Sequence, residues 1–254
     1  MTRYAWLALA GLAMFGFFLL QRLPASLITT QLPPAWQLSG VQGTLWRGRA
    51  GEVRLRGVSL GRVQWYWQPR TLLAFALGYR LRFDGQAVNG TGGLEVGPGG
   101  HWELDDLDIT LSLDDLRPLL PPRQTQVSGQ LQMVSKRLEL QQGWPVRGGF
   151  ELRWHEAALF GSLPMRLGEL TAGANTVSAD TLALEFVDGG GPLALTGTGS
   201  LRRDGDYQLD LQLRARDSAD DNLRTSLSLL GTPDATGRIH FQRHGRLPRM
   251  VGLR

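Results

Sequence analysis

The feature that most constrains this chain is a period of two. From Trp36 almost to the C-terminus, single apolar residues alternate with polar ones. Val63, Trp65 and Trp67 share one parity, and Ile109, Leu111 and Leu113 alternate with Asp108, Thr110 and Ser112. The pattern continues in Leu138/Leu140, Phe150/Leu152/Trp154, Leu182/Leu184/Phe186, Leu193/Leu195, Tyr207/Leu209/Leu211/Leu213 and Ile239/Phe241. Successive side chains of a strand point to opposite faces, so this alternation predicts antiparallel sheet with one apolar and one wet face. Glycine, at 33 residues, supplies joints. Gly97-Pro98-Gly99-Gly100, Gly148-Gly149, Gly189-Gly190-Gly191 and Asp204-Gly205-Asp206 read as turns. Helices are scarce. Asp114–Leu120 suits one or two turns. Asp220–Leu230 suits a longer helix, with Asp220 or Asp221 as cap, Gly231 past its end, and Leu223, Leu227 and Leu230 on one face. Thr71–Leu77 fits a short apolar helix or a buried strand, and periodicity does not decide between them.

Ahead of the alternating region, Tyr4 to Leu20 is apolar, between Arg3 and Arg22. At about 1.5 Å per residue it covers roughly 26 Å, near the lower limit for crossing a bilayer. Gln21-Arg22-Leu23-Pro24 lacks the small-x-small pattern of a cleaved signal peptide. The expectation is therefore an uncleaved transmembrane signal anchor over 4–22, with 1–3 cytoplasmic and the bulk of the chain periplasmic. Residues 23–35 form a linker held extended by Pro24, Pro33 and Pro34.

The chain also resembles itself. Trp36, Gly40, Trp46 and Ala50 recur as Trp144, Gly148, Trp154 and Ala158, at an offset of 108. At 107, Leu60-Gly61 recurs as Leu167-Gly168, and Gly90-Thr91-Gly92 as Gly197-Thr198-Gly199. Asp114, Leu116, Arg117 and Leu120 likewise match Asp221, Leu223, Arg224 and Leu227. The colinear order points to a tandem duplication. The expected layout is a β module over 36–123, a connecting hairpin over 124–143, a second β module over 144–231, and a final strand and basic tail over 232–254. In each module the paired tryptophans, Trp36 with Trp46 and Trp144 with Trp154, are expected to pack the membrane-proximal end.

Chemistry finds little support. There is no cysteine, which removes disulfides, thiolate metal sites and a thiol nucleophile. The net charge of +4 rests almost wholly on arginine, Lys136 being the single lysine. Arginines alternate with acidic residues along most strands, apart from a tail carrying Arg243, Arg246, Arg249 and Arg254. His101, His155, His240 and His244 form no metal-ligand spacing. The acidic group Asp105, Asp106, Asp108, Asp114 and Asp115 lacks the glycine and terminal glutamate of a calcium loop. Gly90-Thr91-Gly92-Gly93 has neither the third glycine of a dinucleotide loop nor a P-loop lysine. No enzyme activity, cofactor, metal or nucleic acid is expected. The one stretch read as a partner contact is Trp65-Tyr66-Trp67 with Arg70, because aromatic side chains there occupy both faces of one strand.

On these residues the chain resembles protein N of the bacterial type II secretion system. The resemblance runs through Leu38-Ser39-Gly40-Val41-Gln42-Gly43-Thr44-Leu45-Trp46-Arg47-Gly48-Arg49-Ala50 and Leu138-Glu139-Leu140-Gln141-Gln142-Gly143-Trp144-Pro145. It continues through Gly191-Pro192-Leu193-Ala194-Leu195-Thr196-Gly197 and Leu230-Gly231-Thr232-Pro233-Asp234. It implies a non-catalytic, single-pass inner-membrane protein, accessory to export of folded proteins across the outer membrane. Its implied partners are other inner-membrane secretion components, with the outer-membrane channel as a further candidate. The run Trp65 to Pro69 and the one-sided strands are also similar to AsmA-like periplasmic proteins. That likeness implies a lipid-binding or lipid-transfer module as the alternative.

Overall fold

The computed structural model describes Met14 and residues 22–27, 32–120, 126–161 and 164–247. Nearly all of the expected anchor, 4–22, lies outside the described residues. Among the described residues no helix is long and apolar enough to cross a membrane.

Among the described residues the alternating pattern folds as one antiparallel sheet of 14 strands. They are β1 (Trp36–Ser39), β2 (Gln42–Gly43), β3 (Arg47–Leu55), β4 (Val58–Gln68), β5 (Leu77–Asp84), β6 (Val88–Val96), β7 (His101–Ser112) and β8 (Gln126–Gln141). They continue as β9 (Trp144–Phe160), β10 (Met165–Ser178), β11 (Thr181–Asp188), β12 (Leu193–Arg202), β13 (Asp206–Ala215) and β14 (Ile239–Arg246). From β3 onward each strand pairs with the next in sequence, so the sheet is a meander. β1 and β2 both lie along the outer edge of β3, separated where Gly40 takes φ +63°. The described parts of 36–123 and 144–231 thus share one continuous sheet. Residues 126–141, within the stretch expected as a connecting hairpin, run as a single strand, β8.

The register converts the period of two into one apolar face. Ala50, Val63, Phe83, Gly90, Ile109, Met133, Leu152, Ala172, Phe186, Gly197, Leu211 and Phe241 are successive cross-strand partners from β3 to β14. At about 4.8 Å per strand this row extends roughly 53 Å. The parallel row Trp67, Tyr79, Leu94, Leu104 and Leu138 lies on the same face. The opposite face carries rows such as Gln132, Arg153 and Thr171.

Helical pieces cover this face only in part. One helix, α1 (Asp221–Leu230), starts where Asp220 accepts from the Leu223 amide at 2.7 Å. Its Leu223 and Leu227 pack with Ala157, Leu167, Leu193, Leu213 and Ile239. Leu230 projects outward and is half exposed. A short 3-10 turn, Arg117–Leu119, follows β7, and Leu116 and Leu119 pack against a second cluster built on Ala50, Val53, Leu60, Trp65 and Val88. Between the two clusters, Met133, Leu152, Ala172, Phe186 and Leu211 are only half-buried.

Two expectations are corrected. Gly148-Gly149 is not a turn but lies inside β9. Gly148, at φ +93°, sits at a bulge opposite Leu138, because a Cβ there would lie 2.2 Å from the Arg137 carbonyl. The tryptophan pairs do not close one end together. Trp36 faces Leu55 at one end of β3, whereas Trp46 precedes Arg47 at the other. Trp144 begins β9, whereas Trp154 lies ten residues along it opposite Leu131. Thr71–Leu77 resolves into both of its readings: a 3-10 turn over Pro69–Ala74, then the start of β5.

Candidate functional site

The chain after the expected anchor meets the sheet at one end, called proximal here. Pro24 bridges Thr44, the Ala25 amide donates to the Gly43 carbonyl at 3.1 Å, and the Leu45 amide to that of Leu23 at 3.0 Å. The Trp67 amide donates to the Trp46 carbonyl at 2.7 Å, so the end of β4 lies at the same place. The meander then puts the β4–β5, β6–β7, β8–β9, β10–β11 and β12–β13 connections at this end.

Trp65, Tyr66, Trp67 and Arg70 all fall here, with different surroundings. Trp65 is 6% exposed and belongs to the core. Its Nε1–H donates to the Thr44 carbonyl at 3.2 Å. Trp67 packs tilted against Trp46, ring centroids 4.6 Å apart, and its Nε1 is buried with no hydrogen-bond partner among the described residues. Tyr66, on the opposite face, is exposed, with the Arg47 guanidinium 5.3 Å from its ring centre, within cation–π range. Arg70 is exposed. The surface part of the set is therefore Tyr66 and Arg70.

Next to Arg70 is a feature the alternation did not reveal. Thr71 is buried. Its hydroxyl donates to the Gln68 carbonyl and accepts from the Gly78 amide, both at 2.8 Å. Phe75 closes the turn in the left-handed region, φ +55°, with its amide donating to the Leu72 carbonyl and that of Ala76 to the Thr71 carbonyl. A bulky side chain in that region is strained. Yet the turn points apolar side chains outward. Leu73 is 89% and Phe75 88% exposed, and Leu72 and Leu77 are about half exposed. The available sequence signal was an apolar run at 72–77 that followed neither the helical nor the strand period.

The charges along the part of the chain that leads into this turn are also one-sided. Residues 1–83 hold ten arginines and a single acidic residue, Glu52. The remaining 171 residues hold 17 cations and 22 acidic residues, so the net +4 divides into +9 and −5. The arginine–acid alternation expected along most strands is thus confined to the later strands.

Elsewhere, polar groups pair with one another. His155 Nδ1 lies 2.6 Å from Glu169, and His240 Nε2 2.5 Å from Asp210. Asp114 accepts from the Ser128 hydroxyl, the Gly129 amide and Arg117. The Ser128 bond, ahead of the others, holds its carboxyl below the usual aspartate range. Glu95, Glu103 and Glu139 face one another on neighbouring strands; Arg137 reaches both Glu103 and Glu139, and Arg147 pairs with Glu139. Burial, and then the charge of Glu103, pushes the carboxyls of Glu95 and Asp105 up. Among the described residues no three His, Asp or Glu side chains are placed to hold a metal.

Comparison with known proteins gives one consistent result. Residues 34–242 match the family described as type II secretion system (T2SS), protein N. The type II secretion system protein N of Vibrio cholerae serotype O1 is 31% identical over 226 residues, covering 85% of this chain and 87% of that one. Its namesake in Aeromonas hydrophila is 30% identical over 242 residues, covering 91% and 93%. That of Klebsiella pneumoniae is 28% identical over 256 residues, covering 92% of each. No solved structure gives a significant match.

Proposed function

The chain belongs to the type II secretion system protein N family, and from that membership we propose that it is a non-catalytic, inner-membrane-anchored accessory of the secretion machine. Residues 4–22 anchor it, and the sheet stands in the periplasm as a contact surface for other inner-membrane components and the outer-membrane channel. Tyr66 and Arg70 mark the contact region. The observation that carries the reading is family membership across 34–242 of a chain with an apolar segment before it.

The internal duplication belongs to this proposal. β3–β8 and β9–β14 run through the same order, with a helical piece before the last strand of each. Leu60 and Leu167 are both buried, and Gly61 and Gly168 both take φ +94°. The test of the function is deletion in a host with a type II system, with full-length chain supplied in trans. Loss of exported protein from the medium on deletion, and copurification of secretion components with the chain from native membranes, are expected. Unimpaired export together with empty pulldowns would rule the role out.

A second reading has one observation behind it. Met133, Leu152, Ala172, Phe186 and Leu211 stay half-buried, and no second sheet covers them among the described residues. An open apolar face about 24 Å long suits acyl chains, as the AsmA-like alternative requires. Native mass spectrometry of the purified chain decides it: bound lipid supports a lipid-carrying module, and a lipid-free protein removes that reading.

A further inference from the structure

We propose that the β4–β5 turn is a second membrane contact, which seats the proximal end of the sheet in the headgroup–acyl boundary of an anionic bilayer. Leu72, Leu73 and Phe75 enter the apolar layer, and Arg70 stays at the phosphates. The inference rests on the reading of 4–22 as an anchor. It also narrows the proposed contact region: the turn and Arg70 meet lipid, and the Tyr66 face is left for protein.

Three observations converge. The first is exposure of a held shape. Leu73 and Phe75 are almost fully exposed on a turn that Thr71 and Gly78 lock, with Phe75 kept in a strained conformation. A turn with no partner would be expected to collapse or to carry polar residues. The second is position. Residues 23–25 pair with 43–45 at the end of the sheet that bears this turn, so an anchor ending at 22 delivers the turn to the bilayer surface. The third is charge. Arg22, Arg47, Arg49 and Arg70 belong to a stretch, residues 1–83, whose single acidic residue is Glu52, at the far part of β3, and the nearest acid on a neighbouring strand is Glu95 on β6, opposite Gly78. Cations flanking exposed apolar side chains are the composition of an interfacial anchor on anionic lipid.

The other connections at the same end provide contrast. Gly97-Pro98-Gly99-Gly100, Gln142-Gly143, Ala179-Asp180 and Arg203-Asp204-Gly205 carry no large apolar side chain. Among the described residues at this end, Val96, Trp102 and Val177 on the adjoining strand ends are exposed as well, but Leu73 and Phe75 are the most exposed large apolar side chains.

The absence of cysteine makes the test direct. Full-length chain bearing Leu73→Cys alone, or Ala179→Cys alone as control, is labelled with an environment-sensitive fluorophore. It is then reconstituted into nanodiscs containing phosphatidylglycerol and a lipid spin-labelled near the headgroup. Both sites are exposed, so neither label disturbs packing. The Ala179 site lies six strands from β4, about 29 Å away. Expected are a blue-shifted Leu73 label, quenched at least twofold more than the Ala179 label, and reversal of that difference when Leu72 and Phe75 are also changed to Ser. A Leu73 label that matches the Ala179 label overturns the inference. So does one that is blue-shifted but not quenched by the spin-labelled lipid, because the turn would then be packed on protein. Elution of the chain with the discs is read separately: its failure removes the anchor, whereas failed quenching in disc-bound protein removes only the second contact.

Discussion

The Gly78 amide donates to the Thr71 hydroxyl at 2.8 Å, and that hydroxyl donates in turn to the Gln68 carbonyl. The pair ties the first residue pair of β5 to the turn that precedes it. Gly78 has to be glycine, because a Cβ there would lie 2.4 Å from Thr71 Cγ2. Thr71→Val keeps the shape and removes the hydroxyl, leaving a buried amide without its acceptor. The expected local cost is about 1–3 kcal/mol. Amide hydrogen exchange at Gly78 should speed up accordingly, with little change in β8 or β9. Unchanged exchange at Gly78 would mean that the strand ladder alone holds the turn.

The exposure of this turn is not encoded in any local pattern of the sequence. Alternation is legible because each strand obeys a local rule, and the register merely lines the rules up. The row from Val63 to Phe241 needed no information beyond parity. Exposure of Leu73 and Phe75 is a different kind of fact: it depends on Thr71 reaching across to Gly78, seven residues away. Gly148 is ambiguous in the sequence for a related reason. A glycine at a bulge opposite Leu138 and one in a turn serve the same need for positive φ, and only the neighbouring strand distinguishes them. The α1 cap at Asp220, by contrast, was readable, since capping is complete within four residues. Trp65 and Tyr66 were seen to face opposite ways, but which face was covered depends on residues 25, 38 and 88, which no local pattern brings together.

Asp188 offers a pH-dependent test. It accepts from the Leu195 amide at 3.0 Å, the Gly190 amide at 3.1 Å and Arg216 at 2.6 Å. Burial alone would raise its pKa, but these hydrogen bonds and the Arg216 charge outweigh burial and hold it below the ordinary aspartate value. A depressed folded-state value means the contribution is fully present above the unfolded pKa of about 3.9. It is lost as pH falls toward the folded value, because the unfolded chain takes up the proton first. Asp188→Asn should therefore destabilise by about 1–3 kcal/mol at pH 6 and by less at pH 3. Urea midpoints of both proteins at the two pH values check this. An equal gap at both would mean the carboxylate charge is irrelevant.

α1 is predicted to hold the later strands together by packing more than by capping. Leu223 is 2% exposed among residues of β9, β10, β12, β13 and β14. Leu223→Ala should cost about 2–5 kcal/mol, and Asp220→Ala about 1 kcal/mol. Thermal unfolding followed by tryptophan fluorescence should rank the two in that order. The reverse ranking would mean that the helix is a surface ornament rather than part of the core.

The proposed duplication makes its own prediction at Gly61 and Gly168. Both take φ +94°, and both follow a buried leucine. A Cβ on Gly61 would lie 2.4 Å from Gly85 Cα. On Gly168 it would lie 2.7 Å from the Gly190 carbonyl oxygen and 2.9 Å from Gly191 Cα. In each case the contact is backbone of the connection that starts the strand after next, so no side-chain rotation relieves it. Gly61→Ala and Gly168→Ala should each destabilise by more than about 1 kcal/mol, from positive φ and the clash together. Gly57→Ala, also at positive φ but with open space around its Cβ, separates the two causes. If the halves descend from one unit, the Gly61 and Gly168 variants should show similar losses in urea unfolding, each larger than that of Gly57→Ala. A tolerated Gly168→Ala beside a damaging Gly61→Ala would mean that the two bulges arose separately, and the shared offset of 107 would lose its structural support.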